Sequence, residues 1–270
     1  MIKLIDLLDL AGVSLGNYKL HCATGMPNTP LEAFFDGKFK EWQEYQRQRN
    51  FQCDQIVSLI HLRGDKWLFV GVWKVHGVEP KTEGEDSWFE YSTSEVDGLD
   101  HLTGRAIVNF RKDFRASYLI GPKHIGRITV AEICEQRMSV GDFPGYNSVL
   151  LSYRLLRTIV REELPSWKSA LSNVSGIYII TDNQTGKKYI GSAYGGEGLW
   201  QRWVSYAKDG HGGNKELKAL IKEKGIEYVY SLQWSVLEVC DLNASKVYVL
   251  DREGHWKDVL RSREFGYNKN

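Results

Sequence analysis

The sequence predicts an α+β fold in two parts, and three features predict it. Apolar spacing is helical over much of residues 1–50, switches at Phe51 to the two-residue period of strands, and returns to helical spacing over 148–164. Pro165 stops that last helix. Beyond residue 173 the order becomes hairpin, two helices, strand and helix, which suits a small antiparallel sheet flanked by helices. A chain of 270 residues accommodates two domains of about 100–150 residues. The boundary is placed so that 1–165 form one domain and 166–270 the other.

In the first part, apolar and aromatic residues at 31, 34, 35, 39, 42 and 45 recur at helical spacing, with Gly37 as a break. Ile56–Leu62, the turn Arg63-Gly-Asp-Lys66 and Trp67–Val75 then read as a β-hairpin rich in β-prone residues. Further strands are predicted at Trp88–Tyr91, Arg105–Phe110, Ser117–Ile120 and Ile128–Val130. Short strands at this spacing predict a β-rich, barrel-like or curved sheet for the mixed N-terminal domain. In the second part, strands at 175–181 and 187–192 flank the turn Asp182-Asn-Gln-Thr-Gly186. Helices follow at 198–208 and 214–224, then a strand at 228–239 and a helix at 244–261.

Composition narrows the function classes. The chain has no apolar run long enough to span a bilayer. Its N-terminus, interrupted by Lys3, Asp6 and Asp9, lacks the order of a signal peptide. Cys22, Cys53, Cys134 and Cys240 are scattered, with no paired zinc-ligand spacing, and fit buried thiols of a cytoplasmic protein. The net charge of +1 excludes a polyanion binder recognisable by charge alone. An acidic block at 79–100 is followed by a basic, aromatic-laced stretch. Its Arg105, Arg111, Lys112 and Arg115 are the candidate DNA contacts of the first domain.

Gly176-Ile-Tyr178 and Tyr189-Ile-Gly191 lie on the two strands of the second hairpin. Strand pairing brings such residues within about 5 Å, so the two tyrosines converge on one face. Gly191 leaves room for a close approach. Arg202 lies on the next helix, Glu253 in the last, and Asn268 follows Tyr267 near the end. These residues, in this order, resemble the GIY-YIG nuclease superfamily, and the resemblance covers about a third of the chain. It implies a metal-dependent DNA endonuclease acting on double-stranded DNA.

The resemblance assigns roles that phosphodiester hydrolysis requires: a deprotonated water, charge neutralisation at phosphorus and a stabilised leaving oxygen. Glu253 holds a divalent cation, Mg2+ by ligand hardness, with Mn2+ as a substitute. Arg202 grips the scissile phosphate with its planar fork. Tyr178 is favoured as general base, its pKa lowered by nearby cations, and Tyr189 orients the water or the phosphate. Asn268 matches the late asparagine of the motif, and Lys187 or Lys188 touches phosphate. Many members carry a histidine one turn after the arginine, where this chain has Tyr206. His211, beside Gly212-Gly213, takes that proton-donor role instead.

The leading expectation is a restriction-like enzyme whose first domain reads DNA sequence or modification while the second cuts. Cutting both strands with one site calls for a homodimer or for sequential nicking. Two alternatives stand beside it: a structure-specific repair or recombination nuclease, and a DNA-binding protein that has lost catalysis. Against the last stands the complete set of Tyr178, Tyr189, Arg202 and Glu253.

Overall fold

A computed structural model describes residues 1–25 and 29–269. It divides into two compact units, Met1–Ser139 and Val140–Asn270. The division falls ahead of the expected 165/166 boundary, and packing supplies the reason. Val149, Leu151, Tyr153, Leu156, Ile159, Trp167 and Leu171 are all buried in the core of the second unit. Among the described residues, no helix is long and apolar enough to cross a membrane, and all four cysteines are free.

The first unit runs α1 (Leu4–Leu10), β1 (Tyr18–Ala23), α2 (Pro30–Phe35), α3 (Phe39–Glu44), β2 (Tyr45–Gln46), β3 (Gln55–Arg63), β4 (Lys66–Glu83) and β5 (Asp86–Glu95). It continues through β6 (Ala106–Asn109), β7 (Tyr118–Ile120), α4 (Gly121–His124) and β8 (Thr129–Ile133). The expected hairpin is β3–β4, turning at Gly64, whose φ of +55° suits glycine. The break between α2 and α3 falls at Gly37, also at positive φ.

The expectation of a barrel-like sheet is corrected. The strands lie in the order β2-β5-β4-β3-β1-β7, with β6 on β4 and β8 on β6, and among the described residues nothing pairs β2 with β7. The sheet is open and mixed, because β1 runs parallel to β3. A parallel pair needs a crossover, here the stretch holding α2 and α3. Reading residues 1–50 as helical missed β1. Leu20 and Cys22 face one core while Ala23 faces another, so this strand is buried on both faces and its sequence shows no clean alternation. The strand expected over Arg105–Phe110 shortens to β6.

The second unit opens with β9 (Leu151–Ser152), α5 (Tyr153–Arg161) and α6 (Pro165–Ser172). Next come β10 (Val174–Asp182), β11 (Lys188–Ala193), α7 (Gly198–Asp209), α8 (Lys215–Lys224), β12 (Leu232–Asp241), α9 (Lys246–Val259) and α10 (Ser262–Phe265). Its sheet is antiparallel in the order β11-β10-β12-β9, so β11 is an edge. The hairpin, helices and strand expected here form within a few residues of their predicted bounds. Capping explains several ends: Ser152, Asn214 and Ser245 each accept a backbone N–H of the helix that follows.

The β10–β11 turn is tied down by Asp182, which is fully buried. Its carboxylate accepts from Tyr267 at 2.6 Å, Thr185 at 2.7 Å, Tyr228 at 2.8 Å and the Gln184 N–H at 2.9 Å. Burial acts to raise this pKa, but the hydrogen bonds from Tyr267, Thr185, Gln184 and Tyr228 outweigh it and hold the carboxyl below the usual aspartate range. A depressed folded pKa means stability present above the unfolded value of about 4 and lost as pH falls through the folded one. Asp182→Asn is therefore expected to cost about 2–3 kcal/mol at neutral pH. Urea unfolding should show that gap closing as the pH drops below about 4; a constant gap would contradict the assignment.

Candidate active site

The register of the hairpin sets up the site. Tyr178 pairs with Gly191 and Ile180 with Tyr189, so both tyrosines share the face covered by α7. The opposite face, with Ile177 and Ile190, packs with Val249 of α9. A Cβ on Gly191 would lie 2.4 Å from the Tyr178 hydroxyl oxygen. The glycine exists because the phenol ring lies across it. Gly191→Ala should cost roughly 1–3 kcal/mol, as overpacking does, read as a lower urea midpoint; an unchanged midpoint would contradict that contact.

Tyr178 is fully buried. Its ring meets Trp203 and Tyr206 edge to face at 6.4 and 5.8 Å. Arg202 Nε donates to its hydroxyl at 2.9 Å, and the Tyr206 hydroxyl lies 3.0 Å away. Burial pushes the Tyr178 phenol above the usual tyrosine range, and Arg202 only partly offsets this. The expected lowering of its pKa is thus corrected: desolvation outweighs the neighbouring cation.

Arg202 is the centre of the cluster. Besides Tyr178, it donates to the Tyr206 hydroxyl at 3.0 Å and to the Gly212 carbonyl at 2.6 Å, with its guanidinium 4.7 Å above the Tyr206 ring. Three of its five N–H donors are thereby fixed, and the others remain to meet a ligand. Arg202 and Tyr206 share a face of α7 at i,i+4 spacing. Tyr206, noted in the sequence only as a departure from the family pattern, is a buried support for Arg202 whose own phenol burial holds well above the usual range.

An open cleft of about 500 Å³ runs along the edge of β11, bordered by Tyr189, Ser192, Tyr194, Gln201, Arg202 and Glu253, among others. Glu253 comes from α9 on the opposite side of the sheet from Arg202. Ser192 donates to one of its carboxylate oxygens, and Lys257 Nζ lies 2.7 Å from the other. Ser192 and Lys257 were given no role in the sequence; the i,i+4 spacing of Glu253 and Lys257 was the available signal for the second. Among the described residues there is no cluster of three or more metal-ligating side chains. Of the residues that border the cleft, Glu253 alone offers a carboxylate, a hard donor of the type that hydrated divalent cations take, and Lys257 already pairs with it.

The structure thus brings Tyr189, Arg202 and Glu253 to one cleft and sets Tyr178 behind Arg202. The other expected residues lie elsewhere. His211 receives the Gly213 N–H on Nδ1 at 3.0 Å and stands 3.5 Å from Asp209, while its neighbour Gly212 meets Arg202. Asn268, only 1% exposed, clamps the β11 edge by accepting from the Ile190 N–H and donating to the Ile190 carbonyl, both at 2.8 Å. Lys187 and Lys188 border a separate depression with Thr185 and Phe265. In the first unit, Arg105 donates to the Cys134 carbonyl at 2.9 Å and Lys112 to the Phe114 carbonyl at 2.8 Å. Arg111 and Arg115 are exposed beyond the end of β6.

No family model matches the chain, and no curated protein matches it. Among solved structures, the chain is similar to the catalytic domain of intron endonuclease I-TevI in a mutant form, at 28% identity and a TM-score of 0.30, over 36% of this chain and 94% of that one. It is likewise similar to another structure of the catalytic domain of homing endonuclease I-TevI, at 30% identity and a TM-score of 0.28, over 35% of this chain and 96% of that one.

Proposed function

We propose that the second unit is the cutting domain of a GIY-YIG-type DNA endonuclease, Mg2+-dependent and carried by a first unit that reads double-stranded DNA. The observation that supports it best is the cleft itself: the Arg202 guanidinium, the Glu253 carboxylate and the Tyr189 phenol, from three elements, border a common space at a sheet edge. Glu253 would hold Mg2+, and Mn2+ in its place. The ion supplies charge neutralisation at the phosphate when bound.

The chain's own residues do the rest. Arg202, held in one orientation by Tyr178, Tyr206 and Gly212, directs its remaining N–H groups at a non-bridging phosphate oxygen, where charge grows as water attacks. Tyr189, which unlike the buried Tyr178 borders the cleft, accepts the proton of the attacking water in this reading. The new P–O bond forms from that water as the bond to the departing deoxyribose oxygen breaks, and that oxygen takes up a proton from solvent. Asn268 acts through β11, keeping Tyr189 and Ser192 in place. His211 stays outside the chemistry, and Arg111 and Arg115 are the better-placed DNA contacts of the first unit. Breaking both strands takes two copies of the chain or two successive nicks.

Supercoiled plasmids with and without base modifications, and forked duplexes, test this reading. Cleavage in Mg2+ of one plasmid class over the other supports restriction-type discrimination. Preference for forks favours a repair-type nuclease, and cleavage of none contradicts the reading.

A further inference from the structure

Glu253 is the only acid among the residues that border the cleft. Its carboxylate is already paired: Lys257 lies 2.7 Å away, and the two side chains are only 7% and 12% exposed. Arg202 adds a second positive charge across the same cleft. A lone carboxylate neutralised by a buried ammonium offers little to a hydrated dication, because like charges a few ångströms apart repel strongly where water is scarce. A phosphodiester entering the cleft reverses that balance. It brings negative charge and hard oxygen ligands, and it shares Arg202.

We infer that Lys257 is a positioning residue that makes metal binding conditional on DNA: the cation and the phosphate enter together. The inference rests on the metal-dependent nuclease reading above. Linkage makes the effect reciprocal, so the metal tightens DNA by the factor by which DNA tightens the metal.

Direct metal binding tests this. Mn2+ uptake by the full-length chain is followed by electron paramagnetic resonance, alone and with a short random-sequence duplex whose linkages are phosphorothioate. The wild-type chain should bind Mn2+ at least about tenfold more tightly with the duplex than without it. Lys257→Met should raise the affinity for Mn2+ alone by a similar factor and shrink the coupling. Lys257→Arg, which keeps the charge, should preserve the coupling, whereas a purely structural lysine would leave coupling unchanged in every folded variant. Equal Mn2+ affinity with and without duplex in the wild-type chain overturns the inference, even where Lys257→Met fails to fold. So does the absence of Mn2+ binding in both conditions. Plasmid nicking in Mg2+ then shows separately whether the nuclease reading still stands.

Discussion

Replacing Glu253 with Gln should reduce Mg2+-dependent plasmid nicking by at least about 10³-fold, because the cleft loses its sole carboxylate and with it the means to hold a cation against Arg202. The variant should also be less stable. Lys257 loses the charge it pairs with at 2.7 Å, and breaking one partner of a buried ion pair costs roughly 3–5 kcal/mol. Gln keeps an acceptor oxygen for Ser192, which places the loss toward the lower end. The two effects separate in the double variant Glu253→Gln/Lys257→Met. Removing both charges should recover much of the urea midpoint and none of the nicking. If activity returned along with stability, Glu253 would be a structural residue and nothing more.

Arg202→Lys should lower the single-turnover cleavage rate by about 10²–10³-fold, the range seen when a donor to a developing oxyanion is removed. An ammonium carries the same charge but cannot reproduce the fork. Arg202 donates at once to Tyr178, Tyr206 and Gly212, and lysine's compact charge would leave at least one of these acceptors unmet. Because Tyr178 and Tyr206 are fully buried, a loss of about 1–3 kcal/mol of stability should accompany the kinetic one. DNA affinity at low salt should change little, since the net charge is retained. A variant that cuts at the wild-type rate would show that orientation of this guanidinium is irrelevant to the chemistry.

Much of the second unit was legible in the sequence. Two strands around Asp182–Gly186, helices with polar caps and a closing helix announce themselves through short-range spacing, and the structure follows them closely. The convergence of Tyr178 and Tyr189 on one face follows from strand period alone. Their division of labour does not. Burial depends on Trp203 and Tyr206 packing on Tyr178, contacts made by residues distant in the chain, and the phenol favoured as a base is fully buried and accepts a hydrogen bond from Arg202. Asn268 similarly looked chemical from its place in the motif, whereas its amide completes the β11 edge at Ile190. In the first unit most strands after Phe51 were visible, but β1, β2 and the connections were not. The parallel pairing of β1 with β3 is a long-range event, and β1, buried on both faces, carries no alternating signature. The unit boundary moved for the same kind of reason, since Val149, Leu151, Tyr153, Leu156 and Ile159 belong to a core assembled mostly from residues after 166.

The most direct measurement is incubation of supercoiled plasmid with the purified chain and with Glu253→Gln, each in Mg2+ and in EDTA. The wild-type chain should produce nicked or linear DNA in Mg2+ and none in EDTA, and the variant should produce neither product in either condition. Cleavage that survives EDTA, or that proceeds undiminished without the Glu253 carboxylate, would contradict the active site described above.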